Sequence, residues 1–322
     1  MDKLSPAVLE AFGIHSRRVK KEKGRYICET PEGTGVIHIT PEPAGAINLR
    51  HAIKEHLAER GFPQTDRYRL AVTGNPYIVV GRDTYVMTKA SPGPDSRETD
   101  FENEPAVLQA FELLARFHIA AAEMPALPIP HMPKVEDLYA RQLNELSQAG
   151  KQARRATRMS DFDVLYIKHS PRYIETMAGS ISRLANTRYS ALHAAAARRR
   201  SLCHNALKEE NILTGSAPYI INFADAAIGP QISDLAALIR RYAQRSTRAI
   251  PIGRLLEAYD QVNPLPAGAG DMLQPLLVFP WAFTKIVALY YSKKRNWTPV
   301  GLLSRMEAIL AEREEYEKYI DI

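Results

Sequence analysis

Apolar and polar positions change rhythm part-way along the chain. Near the N-terminus the runs are short: "GRYICET" (24–30) and "GVIHIT" (35–40) read as two strands joined by a "PEG" turn, a hairpin pattern. "AINLRHAIKEHLAERGF" (46–62) then sets Ile47, Leu49, Ile53 and Leu57 at helical spacing and stops at Gly61. Three further strands are expected at "YRLAVT", "PYIVVG" and "TYVMTKA", separated by Gly-Asn and Gly-Arg-Asp turns. The order is two strands, a helix, three strands.

From Pro105 the period becomes helical. "PAVLQAFELLARFHIAAAEM" carries Val107, Leu108, Phe111, Leu114, Ala115 and His118 on one inward stripe. Residues 134–200 read as helical with breaks near Gly150 and Pro171, and the last eighty residues are helical again. Strand character returns around residue 203, in "SLCH", "NIL" and "YIINF", and "SDLAALIRRYAQR" opens a helix with Ser233 or Asp234 as its N-cap. The pattern divides the chain into a β-rich lobe, 1–90, with one helix, and a helical lobe, 91–322.

Composition narrows the class without changing that division. With 45% hydrophobic and 24% charged residues, 322 residues are enough for a large buried core and exclude a disordered or fibrous chain. The two cysteines, Cys28 and Cys203, are too few for a disulfide framework or a zinc cluster and read as small buried side chains. The N-terminus lacks a signal-peptide pattern and no run approaches a membrane span, so the chain is expected in the cytoplasm. The formal charge of +6 lies in clusters at 19–23, 151–158, 196–201 and 292–296, read as solvated faces and not as a nucleic-acid surface.

The chemistry concentrates in "CHNALKEENIL" (203–213). His204 and Asn211 have the spacing of a phosphoryl-transfer catalytic loop, in which an Asp two residues after the His accepts the substrate proton and the Asn holds a metal ion. The Asp position here is Ala206, whose methyl group accepts no proton. In the following "YIINFADA", the metal-binding Asp position before Phe is Asn222, a neutral and weaker ligand for Mg²⁺. Asp225, three residues on, would face the other side of an extended segment. The strand position for a nucleotide-gripping lysine falls on His38, with Glu55 on the next helix as its acidic partner and Met87 to Ala90 as the hinge between lobes. Asp234 is read as a brace for the loop's backbone or as a simple helix cap.

The string from His204 to Leu235 resembles the aminoglycoside phosphotransferase and choline kinase branch of the kinase-like superfamily. More narrowly, "CHNALKEENIL", "INFADAAIGPQISDLAALIRR" and "YYSKKRNWTP" resemble the CotS-type spore coat proteins of endospore-forming bacteria, over nearly the whole chain. The resemblance implies an α+β, two-lobed protein kinase-like fold, with a small antiparallel-sheet N-lobe and a larger, mainly helical C-lobe. It also implies a role in the spore coat, beside other coat proteins, after synthesis in the mother-cell cytoplasm. With Ala206 and Asn222 altered, the expectation is a pseudokinase with no cofactor. The alternative is an active small-molecule phosphotransferase using ATP or GTP with Mg²⁺, with Asn211, Asn222 and Asp225 as metal positions and rearranged ligands drawn from Glu209, Glu210 or Asp225.

Overall fold

The computed structural model of the chain describes residues 4–15, 19–22, 24–30, 33–89, 96–292 and 299–320. Most of the expected "PEG" turn, Ala90 of the hinge and the "KKRNWT" run lie outside them. By packing the chain forms two compact units, which do not coincide with lobes 1–90 and 91–322. The first holds residues 1–130, 199–228 and 257–263, and the second holds 131–198, 229–256 and 264–322.

In the first unit, helix α1 (Pro6–Ala11) precedes strands β1 (Val19–Glu22), β2 (Arg25–Thr30) and β3 (Gly33–Thr40). Helix α2 (Ala44–Glu59) follows, then β4 (Ile78–Val80) and β5 (Asp83–Lys89). The strands form one antiparallel sheet in the order β1-β2-β3-β5-β4. Its core face is Tyr26, Cys28, Ile37, Ile78 and Met87, packed with Val8 and Phe12 of the α1 region. The hairpin and α2 appear where periodicity put them, and Gly61 ends α2 at a φ of +87° that a side chain would resist.

"YRLAVT" is not a strand. Only Tyr68 bridges β5, while the next N–H groups go to three places: Arg69 to the Met87 carbonyl (2.7 Å), Ala71 to Asn75 (2.8 Å) and Val72 to Ala11 (2.8 Å). A segment whose donors are split this way builds no ladder. The basic run at 19–22, expected as a solvated face, is the exposed edge strand β1.

The unit continues with β6 (Arg97–Glu98) and α3 (Glu104–Ala120), capped by Asn103, whose side chain accepts the Ala106 N–H at 3.2 Å. The expected α3 stripe is buried apart from Leu108, which is half-buried. Four short strands complete the unit: β7 (Leu202–Cys203), β8 (Ile212–Thr214), β9 (Tyr219–Ile220) and β10 (Ala227–Ile228). They pair as β10-β7 and β6-β8-β9, all antiparallel. Arg200 sits at φ +53° and donates Nε to the carbonyls of Met124 (2.8 Å) and Pro125 (3.0 Å) and Nη2 to that of Leu127 (2.8 Å), holding the extended segment after α3.

The second unit contains α4 (Val135–Arg155), α5 (Asp161–Ala185), α6 (Tyr189–Arg199), α7 (Ile232–Arg245), the start of α8 (Ile252–Asp260), α9 (Ala269–Val278), α10 (Trp281–Tyr291), α11 (Pro299–Ala311) and α12 (Arg313–Ile320). Its core is aromatic: Tyr139 stacks on Phe279 at 3.4 Å, Phe162 on Tyr290 at 3.9 Å and Tyr173 on Phe283 at 3.7 Å. The breaks expected at Gly150 and Pro171 do not occur, because both lie inside helices. Gly150 is where the Tyr166 ring packs onto α4, and the helices part instead at residue 160, where a Ser160–Asp163 capping box starts α5. The N-cap of α7 is Gln231; Ser233 and Asp234 belong to its first turn. Residues 269–291 have the length and a mean hydropathy, 1.5, of a membrane span, contrary to the expectation that no run comes close. They form two helices broken at Phe279–Pro280, with Met272, Leu276, Phe283 and Ile286 in the core.

Candidate functional site

The loop from His204 to Asn211 and the strand that follows it lie together in the first unit. Strand β7 delivers His204, which is fully buried, with its ring edge-on to Phe117 (6.2 Å) and Phe223 (4.9 Å). Its Nε2–H donates to the Ile221 carbonyl at 3.0 Å and its Nδ1 accepts the Ala206 N–H at 3.3 Å. One nitrogen donating and one accepting is the pattern of a neutral imidazole. His204 pins the loop to the next strand.

The loop turns at Asn205, φ +59°, whose side chain donates to the Asp225 carbonyl at 3.1 Å. Ala206 is buried and its carbonyl accepts Asn211 Nδ2 at 2.7 Å. A 3₁₀ turn, Glu209–Asn211, then brings the Asn211 carbonyl to the Ile221 N–H at 3.0 Å. Asn222 follows in the left-handed conformation, φ +66°, and its Nδ2 reaches Asn211 Oδ1 at 3.4 Å. The two amides expected to face a metal ion therefore face each other.

The bend at Asn222 starts a second 3₁₀ turn, Phe223–Asp225. The segment is thus not extended, and the alternation expected to turn Asp225 away does not apply; Asp225 is exposed. Glu210, also exposed, pairs with Lys208 at 3.7 Å. Among the described residues no group of three or more His, Cys, Asp or Glu side chains is placed to hold a metal ion. Two neutral amides, one oxygen already taken, are a poor match to the anionic oxygen set that Mg²⁺ requires, so Asn211 and Asn222 as placed do not fit a magnesium ion.

On the sheet, His38 and Glu55 do not form the expected pair. Arg67 holds the Glu55 carboxylate with two hydrogen bonds, Nε to Oε1 at 2.9 Å and Nη2 to Oε2, and His51 lies 3.7 Å from it. His38 is half-buried and its Nδ1 has no hydrogen-bond partner. Burial, then the nearby Arg25, holds its pKa below the usual histidine value, with Asp66 opposing and Lys54 adding to the depression. Met87 is buried in the sheet core, and its carbonyl is taken by the Arg69 N–H. Asp234 belongs to the second unit, where it is buried in the first turn of α7.

The residue that sequence reasoning missed is Lys54. Its side chain is 1% exposed, its ammonium lies 2.9 Å from Asp66 Oδ1 and donates to the Asp66 carbonyl at 2.8 Å, and it sits over the Tyr68 ring at 4.1 Å. It also approaches the Phe223 ring at 5.9 Å, so a cation from α2 reaches the turn beside Asn222. A signal was present: Lys54 lies seven residues after Ile47 and one before Glu55, on the inward stripe of α2.

Kinship follows from the comparison with known families. The profile of the family described as "Spore coat putative kinase YutH" matches residues 6–321. The chain belongs to this family. In fold it is similar to an aminoglycoside phosphotransferase from Alicyclobacillus acidocaldarius, with TM-score 0.83, 19% identity and coverage of 99% of this chain and 95% of that one. It is also similar to the AMP-bound spectinomycin phosphotransferase APH(9)-Ia, at TM-score 0.67, 12% identity and coverage of 98% and 96%. A choline/ethanolamine kinase family protein from Mesorhizobium loti gives TM-score 0.55, 14% identity and coverage of 98% and 96%. No curated protein sequence matches significantly. The expected kinase-like fold and the kinship with spore-coat proteins are thereby established; the likeness to aminoglycoside phosphotransferases and to the choline/ethanolamine kinase family protein is one of fold.

Proposed function

We propose that this member of the spore-coat family is a catalytically impaired kinase-like protein that serves as a structural or assembly component of the endospore coat. It is made in the mother-cell cytoplasm and then held in the coat by other coat proteins. The observation that carries the reading is the Asn222–Asn211 amide contact beside the buried methyl group of Ala206. Loss of a general base alone costs roughly 10² to 10⁴ in rate, and an unshielded transferring phosphoryl group costs more. The loop keeps its shape through neutral contacts that need no ligand: His204 to Ile221, Asn211 to Ala206, and Asn205 to Asp225.

Two measurements test this. The purified chain, given ATP or GTP with Mg²⁺ and a panel of small alcohols, amines and proteins, is expected to transfer no phosphate above a protein-free control. Transfer that disappears on replacing Asn211 and Asp225 by Ala overturns the impaired reading. A fluorescent fusion is expected to form a shell around the developing spore; a signal that stays diffuse in the mother cell through coat assembly overturns the coat role.

A further inference from the structure

The second unit holds a cavity of about 540 Å³, bounded by α5, α7, α10, α11 and α12 and lined by no residue of the 204–211 loop. Six arginines line it: Arg240, Arg241, Arg245, Arg248, Arg305 and Arg313. Three glutamates answer them, Glu312, Glu315 and Glu317. Glu317 is already committed, to Arg313 Nε at 2.5 Å and to Arg172 Nη2 at 2.7 Å. The lining therefore keeps a clear excess of positive charge.

Arg240 is the telling member. It projects from α7 over the Trp281 ring at 5.5 Å and donates Nη1 to the Leu276 carbonyl at 3.2 Å. Burial pushes its pKa below the usual arginine value, and the groups that oppose the shift are the phenols of Tyr316 and Tyr139, with no carboxylate among them. Packed round by protein yet keeping part of its surface open, the guanidinium is placed as a cavity-lining group is. A cation so enclosed without an anion is costly for the fold, and an entering oxyanion removes that cost.

The rest of the lining suits a molecule with an apolar or ring portion. Tyr173, Phe279, Trp281, Phe283, Tyr316 and Tyr319 form the walls. The volume lies in the range of small-molecule sites, about 300–1,000 Å³, and the planar fork of arginine matches carboxylate and phosphate oxygens in pairs.

We propose that this cavity binds a small organic polyanion, one that sets two or more carboxylate or phosphate groups against the arginines and a ring or apolar portion against the aromatic wall. The site is independent of whether the loop at Asn211 transfers phosphate.

Tryptophan fluorescence reads it directly. The chain has two tryptophans, so Trp297→Phe leaves Trp281, in the cavity wall, as the sole reporter. The full-length W297F chain is titrated with pyrophosphate, phenyl phosphate and phthalate, each to about 10 mM, at constant ionic strength set with chloride. At least one is expected to change the emission saturably, and Arg240→Met is expected to weaken that binding about tenfold or more. The phosphate and carboxylate arms report which oxyanion the arginines read. Circular dichroism and the thermal midpoint check that R240M folds; if it does not, the double variant Arg248→Ala with Arg305→Ala, two exposed positions, carries the same expectation. No saturable change with any probe, or unchanged affinity in a folded arginine variant, overturns the proposal.

Discussion

Replacing Lys54 and Asp66, singly and together, probes the polar contact that ties α2 to the segment that follows it. The two partners differ in what each leaves behind. Lys54→Met keeps most of the apolar stem and strands a carboxylate that is 28% exposed, which water can reach. Asp66→Asn strands an ammonium that is 1% exposed, left with the residue-66 backbone carbonyl and the Tyr68 ring. Breaking a buried pair from one side costs about 3–5 kcal/mol, whereas exchanging both partners for neutral groups is often close to neutral. Asp66→Asn is therefore expected to destabilise by about 3–4 kcal/mol and Lys54→Met by about 1–2 kcal/mol, the latter discounted for hydration of the exposed carboxylate. The double variant is expected about 3 kcal/mol below the sum, the upper end of coupling between residues in contact. Burial already holds the Lys54 pKa below the free-lysine value, although Asp66 raises it. Without Asp66 the folded pKa drops further while the unfolded value stays. The unfolded chain then binds the extra proton, and the Asp66→Asn deficit shrinks as pH rises. Urea unfolding followed by far-ultraviolet circular dichroism and by tryptophan emission gives these numbers where the two probes coincide. Additivity within about 0.5 kcal/mol, or a larger cost for Lys54→Met than for Asp66→Asn, refutes the reasoning.

Other expectations follow from the same contacts. His38, His51, His56 and His169 are all held below the usual 6.5 by burial first, so the folded chain stays neutral there while the unfolded chain takes up protons. The thermal midpoint should fall as pH drops below about 6.5, and His38→Gln should lessen the slope; a flat profile contradicts this. Asn222→Ala should cost about 1–2 kcal/mol in urea unfolding through its left-handed φ, while Asn222→Gly should cost less. A Cβ on Gly229 would meet Met132 Sδ at 2.3 Å and Cβ at 3.1 Å, and one on Gly35 would meet only the tip of Met87, Cε at 2.0 Å, so closely. Gly229→Ala should thus destabilise by about 2–3 kcal/mol and Gly35→Ala by about 1 kcal/mol, read as shifts of the urea midpoint.

What the sequence disclosed was what local chemistry determines. The β2–β3 hairpin, α2, α3 and the spacing of His204 and Asn211 are each set within a dozen or so residues, and each appears where expected. "YRLAVT" has strand composition, but its donors are claimed by Met87, Asn75 and Ala11, two of them well outside the segment. Gly150 and Pro171 are local breakers overruled by the packing of long helices. The mutual approach of Asn211 and Asn222 depends on the left-handed turn at Asn222, which an asparagine permits without announcing. Lys54 was hidden for a different reason: its charge argued for a solvent face against a periodicity that put it inside. Nor could any motif gather the cavity arginines, since they come from three helices and the segment after α7.

Arg200 carries a consequence for limited proteolysis. Trypsin needs an arginine side chain free to enter its own specificity pocket and several flanking residues drawn out as a strand. Arg198 and Arg199 are exposed side chains at the end of α6, the Arg199 carbonyl bound by the Glu123 N–H at 3.1 Å and the Arg200 carbonyl by the Met124 N–H at 3.1 Å, but Arg200 also has its guanidinium spread over three carbonyls of the 124–127 segment. In this triple-arginine run the scissile bond after residue 200 is shielded by the side chain that would ordinarily mark it for cutting. Digestion of the native protein should therefore cut after residue 200 more slowly than after the exposed Arg198.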